Sequence, residues 1–302
     1  MRHGQVSRVH RGGSFVSLSG TRVDGRVGFG GAADALQAVN VTRPDVVVGR
    51  GLCDRQAMNS IARVEALYDE LLAGIAARAP EIGSRPVAVQ WVHRGGAYRG
   101  TLILGQSVYG WADEWEASDF TVAADRAAII SQVRGRNAER ADPMDWIATN
   151  SHRSSPFWRA SQILAETLEP DLGVPWHARI SWGNLYPAGP DGPPDNPRGP
   201  LREVQDRIVG RLLNAVVEML DPTRVIVFGG PFWWPAGRDS GLDAVLPEAP
   251  RPLLRAGVVG GRTWVVGWHP TGASYRRFGP ERYAGIVRDV VRDLESIQTQ
   301  QP

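Results

Sequence analysis

Four short apolar runs constrain this chain most, because each leads at once into a glycine or a polar side chain. Thr101 to Leu104 runs into Gly105-Gln106, Ala178 to Gly183 into Asn184, Arg224 to Phe228 into Gly229-Gly230, and Thr263 to Trp268 into His269-Pro270-Thr271. Such runs are too short for helices, and their apolar residues sit at consecutive positions, so both faces of each strand are destined for burial. Amphipathic helices are expected around them. From Leu201 to Leu220, the residues Leu201, Val204, Ile208, Leu212, Ala215, Val216 and Met219 share one face. Arg55 to Arg78 carries Ile61, Val64, Leu67, Leu71, Leu72 and Ile75 at helical spacing, and Tyr283, Ile286, Val287, Val290, Val291 and Leu294 mark a last helix. Strands apolar on both sides and alternating with helices predict an α/β chain, with a parallel sheet between helix layers. In such a sheet the C-terminal strand ends share one crevice, so their polar groups should converge there.

Local punctuation refines this outline. Ser154 or Ser155 before Pro156 suits a capped helix start that runs to near Pro170. From Pro187 to Pro200, nine of fourteen residues are Pro or Gly, which excludes helix and central strand and predicts a long loop. Val87 to Val92 reads as a further strand. Residues 1–50 are rich in Gly and Arg with weak periodicity, so the expected organisation is an N-terminal extension and helix over 1–84 packed on a main domain over 85–302.

Composition excludes several chemistries. Cys53 is the single cysteine, so no internal disulfide, Cys₄ zinc site or iron–sulfur cluster can form. The six His residues lack ligand spacing, and neither a metal nor a cofactor is expected. Every one of the 34 basic residues is Arg. Without lysine there is no lysine Schiff base and no Walker A phosphate loop. The net charge of +2 is compatible with nucleic-acid binding without demanding it. No apolar run approaches the ~18 residues of a membrane span, and Met1 to Gly13 has no apolar signal core, so a cytoplasmic, membrane-free monomer is expected.

Together these pieces resemble the uracil-DNA glycosylase superfamily over roughly residues 85–295, which implies three α/β/α layers around a four-stranded, mostly parallel sheet. The family's first motif, commonly GQDPYH after the first strand, is in register with Gly105-Gln106-Ser107-Val108-Tyr109-Gly110. Phe120 lies thirteen residues after Ser107, the spacing of the family's base-stacking Phe. Asn184 matches its base-reading Asn, Phe228-Gly229-Gly230 its Gly-rich turn, and His269-Pro270-Thr271 its HPS. The sequence also departs from the pattern. Ser107 stands where the family has its water-activating Asp, Gly110 replaces the His after Tyr, and the register of the intercalating Leu falls on Ala273.

The resemblance implies a division of labour. An enzyme that cuts a base from DNA must first turn it out of the stack. Phe120 would then hold the base on a flat face, and Asn184 would offer both a donor and an acceptor to its edge. Gln106 would join the base pocket, and Tyr109 would wall it beside a pyrimidine. His269 would stabilise the negative charge that develops on the departing base. Cleavage passes through an oxocarbenium-like sugar, and with no Asp at 107 the water needs another helper. Ser107 is one choice. Asp113, Glu114 and Glu116 on the same loop are others, Asp113 first among them; with no replacement the rate would fall by a factor on the order of 10²–10⁴. Tyr275, Arg276 and Arg277, beside Phe278, suit phosphate contact plus a wedge. Arg153, Arg159 and Arg198 would add phosphate contacts. Trp233 and Trp234 cannot both face the core from one strand, so at least one should be exposed or on a loop.

The expected function is thus a monofunctional DNA glycosylase that leaves an abasic site without cutting the strand. The altered first motif points away from uracil toward a modified pyrimidine, such as hydroxymethylated or glucosylated cytosine of viral DNA, and so toward antiviral defence. Uracil excision in DNA repair and a non-catalytic DNA-binding module of the same fold are the alternatives. An unrelated α/β hydrolase ranks below them, since Gly-x-Ser-x-Gly is missing.

Overall fold

In Arg224–Phe228, Val225 and Val227 face one side of the sheet, Ile226 and Phe228 face the other, and all four are buried. Leu102 and Leu104 oppose Ile103 in the same way, and Trp264 and Val266 oppose Val265. Two-sided burial of this kind requires helices on both faces. The structure, a computed structural model, describes residues 50–107, 114–139, 155–171, 173–190, 196–271 and 273–300, with backbone alone for 50–57, 114, 136–139 and 273–277. All of these lie within one compact unit, Leu36–Pro302.

In chain order the elements are α1 (Arg50–Ala77), α2 (Ala79–Ile82), β1 (Val87–Val89), β2 (His93–Arg94), β3 (Thr101–Ser107), β4 (Glu114–Trp115), α3 (Ala123–Glu139), α4 (Pro156–Leu168), β5 (Ile180–Tyr186), β6 (Ala188–Pro190), α5 (Gly199–Asp206), α6 (Val209–Leu220), β7 (Arg224–Phe228), α7 (Pro235–Asp239), α8 (Leu242–Val245), β8 (Leu253–Val259), β9 (Arg262–Gly267) and α9 (Ala273–Gln300). The main sheet has six strands in the order β2-β5-β3-β7-β9-β8. This corrects the expected four. The inner strands β5, β3, β7 and β9 are mutually parallel, and β2 and β8 close the two edges antiparallel. In chain order the inner strands run second, first, third, fourth, so the connections diverge around β3 and open a crevice at its C-terminal end. A small sheet, β4-β1-β6, lies apart.

Residues of α1, α3, α5 and α6 form one core against the sheet, and those of α4 and α9 form the other. The layers are therefore helix, sheet, helix, and α1, which precedes residue 85, shares the first core. Ser155 caps α4 by accepting from the Trp158 N–H, with Pro156 in the first turn. The stretch Leu201 to Leu220 is two helices instead of one, because the backbone leaves helical geometry at Ile208 (φ −123°). Within the Pro-rich stretch, Ala188–Pro190 forms an edge strand, where a missing N–H is tolerated. α9 kinks at Gly279 (φ 72°), just before Pro280. Among the described residues no helix is long and apolar enough to cross a membrane.

Candidate functional site

β9 ends at Gly267, and the next two residues turn Trp268 and His269 toward the C-terminal edge of the sheet. The ring of His269 is fixed on two sides. It lies parallel to the Phe157 ring, with centroids 5.7 Å apart and planes 3° from parallel. Its Nδ1 accepts the Thr271 backbone N–H at 3.3 Å and lies 2.7 Å from the Thr271 hydroxyl. A backbone N–H can only donate, so Nδ1 carries no proton in the neutral ring and Nε2–H is the remaining donor. Burial pushes the imidazole pKa down to about 4, so the ring is neutral at physiological pH.

His269 borders a cleft of about 400 Å³ at the C-terminal ends of β3, β7 and β9. Gln106 enters it from β3 and is anchored by donating from Nε2 to the Gly229 carbonyl at 2.9 Å. The turn after β7 forms the opposite side. Gly229 and Gly230 both donate to the Gly267 carbonyl, at 3.1 and 2.9 Å, and Gly230 adopts φ 74°, which a side chain would strain. Asn196, Arg198, Arg202, Phe232, Trp233 and Trp268 are also among the lining residues. Among these described lining residues two are arginines and none is a carboxylate, so the cleft favours negative charge. Asn196 and Arg198 also line a neighbouring cavity of about 240 Å³, with Glu81 and Arg85 on its far side.

Asn184 lies inside β5, opposite Gly105, and not at the strand end expected from the break in the apolar run. Its Nδ2 donates to Gln90 Oε1 at 2.5 Å. The Gln90 carbonyl in turn accepts from the Tyr68 hydroxyl at 2.5 Å. A Cβ on Gly105 would lie 2.7 Å from Asn184 Oδ1 and 3.3 Å from the Phe157 ring, so glycine is what lets these two groups meet over the backbone. Asn184 borders a separate void of about 20 Å³ and not the His269 cleft itself. Phe157 links the two places, since it touches Gly105 on one side and stacks on His269 on the other.

The remaining expectations divide. Ser107 donates to Asn196 Oδ1 at 2.8 Å, which ties the end of β3 to a residue of the cleft and leaves the Ser107 oxygen able to accept. Phe120 does not reach the cleft. It is fully buried, packs at a 6.4 Å centroid distance from Trp115, and belongs to the core on the α1 side, so no face is open for a base to stack on. Glu116 caps the turn at Ala117–Phe120 through a capping box with Asp119. Trp233 and Trp234 stand on a turn, but both are buried, and the exposed aromatic of that turn is Phe232. Arg159 pairs with Glu281 at 3.1 Å. Tyr109, Asp113 and Arg153 lie outside the described residues, as do the side chains of Glu114, Tyr275, Arg276 and Arg277.

Sequence reasoning did not single out Phe157, Gln90, Arg202 or Phe232. Pro231 right after Gly229-Gly230 announces a rigid turn, and the Phe that follows it was the available signal. Neither a family model nor a curated protein matches this chain.

Proposed function

We propose that the chain is a monofunctional DNA glycosylase that hydrolyses the bond between deoxyribose and a modified pyrimidine. One observation carries this reading. A histidine held neutral, with Nδ1 occupied by a backbone N–H and Nε2–H left to donate, borders an arginine-lined cleft whose described residues include no carboxylate. As the glycosidic bond breaks, its electron pair passes to the base, which leaves as an anion. A fixed neutral N–H donor stabilises such an anion without giving up a proton. Water adds to the sugar carbon while the Ser107 oxygen, its own hydrogen committed to Asn196, accepts a hydrogen bond from it, and the proton the water loses neutralises the departed base anion. Arg198, exposed at the edge of the cleft, suits a phosphate beside the extruded nucleotide. The second cavity, which shares Asn196 and Arg198 with the cleft, suits a base with a bulky substituent better than uracil. Hydroxymethylated or glucosylated cytosine of viral DNA fits that description and implies a role in antiviral defence. With no lysine to attack the sugar, the product is an abasic site in an intact strand.

The test is base release from DNA carrying uracil, hydroxymethyluracil, hydroxymethylcytosine or its glucosylated form, read by alkaline cleavage at the abasic product. The expected result is release confined to a modified base and abolished in the double variant His269→Ala, Asn184→Ala. Release of uracil alone would make the protein a repair enzyme. No release from any substrate, with DNA binding intact, would replace the proposal with a non-catalytic binding module.

A further inference from the structure

Phe232 is 77% exposed, and of the large apolar side chains described as exposed (Met58, Val122, Phe232) it alone lines the cleft. It is not a loose side chain on a loose loop. Pro231 and the doubly anchored Gly229-Gly230 fix the turn on one side. On the other, Arg202 donates from Nη2 to the Phe232 carbonyl at 2.5 Å. That guanidinium is itself held, 4.7 Å above the Trp233 ring and 3.5 Å from Asp206. The molecule thus braces an apolar ring in water at the mouth of the cleft, with Arg198 exposed on the same rim. The fold gains nothing from this exposure, since the neighbouring Trp233 and Trp234 are buried.

We propose that Phe232 is the wedge that enters a DNA duplex and fills the gap left when a nucleotide turns out into the His269 cleft. The inference rests on the glycosylase reading and adds the group that opens the duplex. A flat apolar ring can occupy the space between two base pairs, and its rigid turn means that little freedom is lost on insertion. Arg198, exposed on the rim, meets a phosphate that flanks the gap. Ala273, at the register where the resemblance would put an intercalating Leu, has too small a side chain to fill a stack.

The experiment compares Phe232→Ala, Phe232→Leu and Phe232→Trp in the full chain, on duplex and single-stranded DNA of the same sequence carrying the released base. A second readout is the fluorescence of 2-aminopurine next to that base, which rises on unstacking, measured in a His269→Ala background so that no substrate is consumed. Phe232→Ala is expected to lose roughly tenfold or more on duplex relative to its loss on the single strand, and to abolish the fluorescence rise. Phe232→Trp and Phe232→Leu should restore both. Equal losses on the two substrates, or a fluorescence rise that persists in Phe232→Ala, would overturn the wedge and leave the glycosylase reading standing. A Phe232-dependent rise with no base released from any substrate would support the wedge and overturn the glycosylase. Neither release nor a rise in the parent chain would overturn both. A Phe232→Ala variant whose only change is conversion of a dimer to a monomer by light scattering would overturn the wedge and leave the glycosylase reading standing.

Discussion

At the N-terminal ends of β3 and β7, Thr101 and Arg224 stand opposite each other, and the polar groups around them answer one another. Thr101 donates to Glu169 at 2.6 Å, Arg224 reaches the same carboxylate at 2.7 Å, and its other nitrogens hold Glu295. At the C-terminal ends of the same strands the polar groups are anchored but border open space. Gln106 and the Gly229-Gly230 turn frame a cleft, His269 keeps a donor in reserve, and Phe232 stands in water. One sheet therefore carries a closed network at one end and, at the other, anchored groups around a cleft with one donor and one aromatic ring still open. Damage at the two ends should therefore differ in kind, because closed networks hold folds together while open donors await a partner.

Four changes to the molecule or its medium should separate the two ends. Glu169→Ala should have the largest effect, since it leaves Arg224 and Thr101 short of a buried partner. A loss of about 3–5 kcal/mol is expected in denaturant unfolding, with base release per folded molecule unchanged. His269→Ala should do the reverse. Base release should fall by a factor on the order of 10²–10³, while unfolding free energy moves by about 1 kcal/mol, the worth of one aromatic contact. Gly105→Ala tests the seam between fold and site. Its methyl would crowd Asn184 and Phe157, so about 1–3 kcal/mol should be lost in unfolding and release should slow with it. The smallest effect is a shift on the pH axis. With a folded pKa of about 4 against an ordinary 6.5, His269 stays neutral as pH falls through the usual histidine range. Below about 4 the ring gains a proton on Nδ1, which then faces the Thr271 N–H as donor against donor. The acid limb of the release rate should therefore bend near 4, and a bend near 6.5 would disconnect His269 from the chemistry.

Legibility followed burial. Arg224–Phe228 is a strand over the very span that its unbroken apolar run marks, since nothing polar interrupts it. β5 outlasts its apolar run because Asn184 is polar yet Leu185 and Tyr186 continue the ladder. β8 and β9 form a hairpin around Gly260-Gly261, a signal present in the sequence but masked by Arg255 and Gly257 within β8. β2, only two residues long, leaves no pattern to read. The convergence of Gln106 and His269 on one crevice was legible, because parallel strands deliver their C-terminal ends together. The spacing of Phe120 from Ser107 fixes a distance along the chain and not a direction, and this ring turns into the core. Phe157 escaped notice because it opens a helix whose inner face looks like ordinary packing.

The φ angle of Gly105 is not among the positive ones, so any residue could take up its backbone shape; what forbids a side chain there is occupancy by Asn184 and Phe157. The three positions are therefore one unit of inheritance. In a divergent chain of this architecture, a Gly105→Ala change should arrive together with a smaller residue in place of Phe157 or Asn184. The same change with both Asn184 and Phe157 retained would mark a chain whose site has been rebuilt.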